Sequence, residues 1–133
     1  CSELKDDRIE IGSHRSKNGK PITTPLTDEA KAVLATLPRN NGVFVFSTTD
    51  GHRPIGNFSR IKERLSKTSG VADWTFHDFR RSMATSMVKR NKTRFDIITT
   101  LNHTDTSVTG IYERSNHSDV KLCVLSDWSR LLY

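Results

Sequence analysis

The sequence predicts an α+β domain, mostly helical, with a small antiparallel sheet near its N-terminus. Three observations predict it. Two short stretches of strand character, "RIEIGSH" and "PITTPL", flank a "KNG" turn signal. Beyond Pro25, apolar residues recur at helical spacing in one segment after another. A chain of 133 residues with 34% hydrophobic residues supports one domain with a modest core.

The elements follow in order. Pro25 ends the second strand, since proline cannot donate to a ladder. "LTDEAKAVLATL" reads as a helix with Thr27 as N-cap and Ala30, Val33, Leu34 and Leu37 on its apolar side. Pro38 and "NNG" stop it. "VFVF" is a short buried-strand candidate, and "DGHRP" is a turn. "NFSRIKERLSKTSG" is a second helix, with Phe58, Ile61 and Leu65 inward and Gly70 as its stop. "HDFRRSMATSM" follows, with Thr75 and Asp78 at capping-box spacing. Phe76, Met83 and Met87 share one face, and Arg80 projects about 40° from Phe76. Thr93 and Asp96 repeat the start signal before Phe95, Ile98 and Leu101, and Asn102 suits a left-handed exit. "DTSVTGIYERS" begins a further helix. "SDVKLCVLSDWSRLL" is the last, with Val120, Val124, Leu125 and Trp128 as apolar contacts.

Composition narrows the setting. No apolar run has the length that crosses a membrane. Cys1 and Cys123 have neither metal nor disulfide spacing, which suggests a reducing, cytoplasmic environment. Lysine and arginine outnumber the acids by 21 to 15, a net charge of +6. The excess gathers in "HRSKNGK", "GHRPIGNFSRIKERLSK" and "RRSMATSMVKRNKTR". Converging on one face, these tracts would follow a phosphate backbone; scattered, they are solubilising surface.

Arg80 is the first residue that asks for chemistry. A guanidinium stays charged at any usable pH, and burying it unpaired is costly. It is an edge arginine whose stem covers the core while its tip reaches water, an ion-pair partner of an acid such as Asp73, or an anion-binding group held by helix packing. His77 is three residues earlier, so the two can address one point. His103 follows a helix end and can donate to a phosphoryl oxygen or exchange a proton. Tyr112 can attack phosphorus and form an ester, or simply pack near Val108. Lys17, at the tip of the hairpin, competes with Arg15 and Lys20 for a reaching role. His14, His52, His77, His103 and His117 form no metal motif, so no metal is expected.

Taken together, "HDFRRSMATSM" and "LNHTDTSVTGIY" resemble the catalytic domain of the tyrosine recombinases, the phage-type integrases. That family has His-x-x-Arg, a Leu-Gly-His helix end 23 residues after the arginine, and a tyrosine nine residues later. Here Arg80 to His103 is 23 residues and His103 to Tyr112 is nine. "RSKNGKPITTPLT" resembles the family's β-hairpin, with Lys17 in the place of its lysine. The resemblance implies that His77, Arg80 and His103 contact the scissile phosphate. It implies that Tyr112 attacks to give a 3′-phosphotyrosine and that Lys17 protonates the leaving 5′-oxygen. The ester conserves the bond energy, so neither ATP nor any other cofactor is implied. Arg80 is then expected in an apolar setting that fixes its aim.

Two departures stand out. Asn102 replaces the usual glycine, a mild change because both residues permit the left-handed exit. The family's upstream arginine motif is represented only by its tail, "CSEL", which places that arginine just before Cys1. Residues 1–133 are thus expected to be a catalytic-domain fragment, with 118–133 as a tail helix, impaired in cleavage as it stands. The implied partners are double-stranded DNA attachment sites and further protomers in a tetrameric synapse. The tail would contact a neighbouring protomer, leaving Leu122, Leu125, Trp128 and Leu131 exposed in an isolated monomer. The implied setting is the nucleoid of a bacterial or archaeal cell. Arg15, Lys20, Arg60, Lys62, Arg64 and Arg81 are candidates for backbone contact. An integrase of a phage or mobile element fits better than a chromosome-dimer resolvase. The rival readings are a DNA-binding module without cleavage and a type IB topoisomerase-like enzyme.

Overall fold

The computed structural model describes residues 2–17, 19–38, 41–102 and 117–132. They form an α+β arrangement of five α-helices and a two-stranded antiparallel sheet near the N-terminus. Strands β1 (Arg8–Ile11) and β2 (Ile22–Pro25) pair from Arg8 opposite Pro25 to Ile11 opposite Ile22. The helices are α1 (Asp28–Ala35), α2 (Phe58–Ser69), α3 (Phe76–Lys89), α4 (Arg94–Thr100) and α5 (Ser118–Leu132). The chain divides into two compact units, one of Leu37–Ser82 and one of Ser2–Thr36 with the segment from Met83 onward. The division falls within α3.

Helix ends follow local chemistry. Thr27 caps α1, its hydroxyl accepting from the Ala30 amide. Thr93 and Asp96 close a full capping box on α4. Gly70 ends α2 in the left-handed conformation, and Asn102 adopts the same conformation just after α4.

In the second unit, Met83, Met87, Ile97 and Val124 form the buried cluster, with Leu101, Leu125 and Trp128 packed around it. Helix α5 therefore docks on its own unit. Lys121 donates to the Thr23 carbonyl of β2 at 2.7 Å, and Thr27 and Ser129 hydroxyls meet at 3.0 Å. Burial pushes the Lys121 ammonium below the ordinary lysine value. Lys92, just past α3, reaches Asp127 of α5 at 2.6 Å and the Cys123 sulfur at 3.1 Å. Those bonds raise Lys92, the Asp127 bond most, and the same Lys92 bond lowers Asp127.

In the unit of Leu37–Ser82, aromatic rings join α2 to the start of α3. Trp74 meets Phe76 and Phe79 edge-on at 5.3 and 5.4 Å, and Phe58 meets Phe76 at 5.9 Å. The Trp74 indole donates to Ser66 of α2 at 2.9 Å. The loop before α2 turns through Asp50 and Gly51, both at positive φ. Gly42 lies so close to this turn that an added Cβ would stand 2.1 Å from the Gly51 carbonyl oxygen. Gly42→Ala is expected to destabilise this unit by about 1–3 kcal/mol through overpacking against backbone. Urea denaturation checks this, and an unchanged midpoint would contradict it.

Several expectations are corrected. The strands form the antiparallel pair expected around "KNG", and their connection, residues 12–21, is longer than that signal and includes a 3-10 turn at Ser13–Arg15. "VFVF" is not a strand, and Val43 and Phe46 are exposed. Its backbone is engaged by the Asp50–Gly51 turn instead, through bonds such as Phe44 amide to Gly51 carbonyl. Phe58 and Leu65 of α2 and Val33 of α1 are exposed, because no element among the described residues covers those faces fully. Phe95 is exposed with its ring edge-on to His117, and Ile97 rather than Ile98 is the buried residue of α4. Ile97 and Leu101 are one turn apart on the side facing α5, and this alignment selects them. Phe76 does not share the burial of Met83 and Met87. Leu125 and Trp128 pack in cis, while Leu122 and Leu131 stay exposed. The helix expected from "DTSVTGIYERS" lies outside the described residues. Among the described residues, no helix is long and apolar enough to cross a membrane.

Candidate functional site

Asp78 anchors the first turn of α3. Its Oδ2 accepts from the Thr75 amide at 2.7 Å and from the Thr75 hydroxyl at 2.8 Å. The Asp78 amide in turn donates to the Thr75 carbonyl. These bonds, the side-chain one first, hold the Asp78 carboxyl below the usual aspartate range. The sign is that of a depressed acid. The cap is complete above the ordinary aspartate value and is lost as pH falls through the lower, folded one.

His77 and Arg80 flank this anchor, both exposed. Arg80 therefore does not sit in the core as expected. Phe76, 40° away by helical geometry, is itself 42% exposed, so that side of the first turn is open. Among the described residues, Arg80 makes no ion pair, with Asp73 or any other acid. Its neighbour Arg81 does, reaching Asp78 Oδ1 at 3.4 Å. Exposed, three residues apart on the helix, that pair is weak and open to displacement. Two adjacent guanidiniums thus differ: one is held by a carboxylate, and the other has no acidic partner among the described residues.

The basic candidates on α2 are of two kinds. Arg60 and Arg64 are exposed and have no acidic partner among the described residues. Lys62 lies over the Trp74 ring, 5.8 Å from its centroid, a contact that restrains the ammonium without neutralising it. In the other unit, Lys17 is exposed on the loop between β1 and β2, as is Lys20. Arg15 bonds both Glu3 carboxylate oxygens at 2.7 Å. His103 and Tyr112 lie outside the described residues. No group of three or more His, Cys, Asp or Glu that could hold a metal occurs among the described residues.

Sequence reasoning saw Asp78 only as a cap. Its second role, as the partner of Arg81, was signalled by the three-residue step between them. Trp74, the residue through which α2 and α3 are joined, carried no sequence signal beyond being aromatic.

The family model described as the phage integrase family matches residues 1–119. No curated protein and no solved structure matches the chain.

Proposed function

The chain belongs to the phage integrase family, and we propose that it is the catalytic domain of a site-specific recombinase that cuts and rejoins DNA through a tyrosine ester. Membership implies DNA at recombination sites as the partner. The observation that carries the cleavage reading is the state of Arg80. It is exposed, three residues from His77 on an anchored helix, and lacks a protein carboxylate among the described residues, while Arg81 beside it has one. A charge left open beside a histidine suits a phosphate.

In this reading, Tyr112 gives its phenolic proton to a neighbouring base, for which His103 is the candidate, and its oxygen attacks the phosphorus as the bond to the 5′-oxygen breaks. Lys17 gives that oxygen its proton. Arg80, His77 and His103 stabilise the charge that builds on the non-bridging oxygens. The products are a 3′-phosphotyrosine and a free 5′-hydroxyl, and the 5′-hydroxyl of a partner strand reverses the step. Arg60, Arg64, Lys62, Lys20 and, when released from Asp78, Arg81 contact the backbone. Residues 118–133 form the tail through which protomers of a tetramer communicate.

The test uses full-length protein and a duplex nicked next to the cleavage point, so that the 5′-end diffuses away. A denaturant-resistant protein–DNA adduct is the expected result. Duplex affinity should also fall steeply between about 50 and 200 mM salt, by close to one log unit of affinity per log unit of salt for each phosphate contacted. Salt-sensitive binding with no adduct under any condition would favour the non-cleaving DNA-binding module instead.

A further inference from the structure

We infer that Asp78 is a positioning residue for this site: it holds the turn that carries His77 and Arg80, and it keeps Arg81 away from the phosphate. The inference rests on the function proposed above. The Asp78 carboxylate divides its work between its two oxygens. Oδ2 takes both Thr75 donors, fixing the end of the helix to the residue that precedes it. Oδ1 takes Arg81. His77 is one residue before Asp78 and Arg80 two after, so fraying of this turn would move both groups directly. The aromatic contacts of Trp74, Phe76 and Phe79 hold the helix sideways. The Thr75–Asp78 bonds close its first turn, which packing of rings alone leaves open to fraying.

The second half of the role concerns which arginine meets the phosphate. Arg80 and Arg81 project about 100° apart on the helix. Both are exposed, and a phosphate near α3 would be drawn to either. Asp78 engages one of them, Arg81, in the free protein. The substrate phosphate is thereby directed to Arg80, which has no carboxylate partner among the described residues. Losing the anchor to Thr75 should weaken cleavage, while losing the charge that holds Arg81 should leave binding intact or tighter, because a freed Arg81 gains a backbone contact. A residue needed only for folding would lower both together.

The experiment compares Asp78→Ala and Asp78→Asn with the wild type, all as full-length protein on the nicked duplex. Asp78→Ala loses both functions of the carboxylate. Its single-turnover rate of adduct formation is expected to fall about tenfold, the scale of a small misplacement of reacting groups. Its duplex affinity should be unchanged or up to about threefold tighter, with a salt slope steeper by about one. Asp78→Asn keeps an oxygen for the Thr75 donors but has no charge for Arg81. It should cleave within about twofold of the wild-type rate and share the steeper slope. Wild-type cleavage by Asp78→Ala would overturn the positioning role. So would equal impairment of both variants, or parallel loss of affinity and circular-dichroism helicity in Asp78→Ala. An unchanged salt slope in both variants would overturn the role in holding Arg81. A wild type that forms no adduct would remove the proposed cleavage function and the positioning role with it, while the slopes would still decide the Arg81 contact.

Discussion

Tyr112→Phe should abolish the covalent adduct while leaving the protein bound to its DNA. The substitution keeps the ring and removes only the oxygen that attacks phosphorus. Histidine and lysine side chains near the phosphate can move protons, but in the proposed reaction only the phenolic oxygen forms the ester. Adduct on the nicked duplex is therefore expected to drop by at least about 10³-fold, to the limit of detection. Duplex affinity should stay within about twofold, since one hydroxyl contributes little to a backbone-dominated interface. Adduct at the wild-type level in the phenylalanine variant would sink the assignment of Tyr112. Loss of both adduct and binding would instead point to a packing role for the ring. The nine-residue step from His103 motivates the choice, and the family match extends through residue 119, past this tyrosine.

The second large effect is on stability. Met87 has no exposed surface and packs within the cluster of Met83, Ile97 and Val124. It thus connects three helices: α3, which carries it, and α4 and α5, which close over it. Met87→Ala removes most of that side chain and leaves a cavity between them. The expected cost is about 3 kcal/mol, from lost transfer energy together with incomplete collapse of the cavity. A fall in Tm of roughly 10 °C should accompany it. Val88, the next residue, is 63% exposed, so Val88→Ala should stay within about 0.5 kcal/mol. Trp128 packs against the same cluster and reports its unfolding by fluorescence, with Trp74→Phe as the background that removes the other indole. Equal midpoints for the two alanine variants would show that this cluster does not hold the unit together.

In the proposed reaction, the cleavage residues and the stabilising core thus fall in different parts of α3. Its first turn carries the exposed His77 and Arg80, and its later turns carry the buried methionines. Substitutions of the two kinds should be separable in one protein. Met87→Ala should lower the melting temperature, and the Tyr112 variant should leave it unchanged, because the attacking oxygen is needed only when DNA is bound.

What could be read without the fold was whatever depends on residues close in sequence. Thr27, Thr93 with Asp96, Gly70 and Asn102 stand where they were expected, because each makes or permits a backbone arrangement within three or four residues. The pairing of "RIEI" with "ITTP" was also legible, since β-branched alternation marks strands and a turn signal lies between them. The family was legible in the spacing from Arg80 to His103 and Tyr112, a pattern set by chemistry rather than by packing. Which face of a helix is buried was not legible in the same way. The choice of Ile97 over Ile98 depends on where α5 lies, and the exposure of Phe58 and Val33 depends on what does not reach them. Arg80 shows the limit most clearly. Helical spacing put it beside an apolar face, but Phe76 packs with Trp74 and Phe58 while Met83 and Met87 pack with α4 and α5. The face expected to be continuous is two separate clusters. Tertiary structure alone decided that Arg80 is exposed, whereas the hold of Asp78 on Arg81 follows from their three-residue step along one helix.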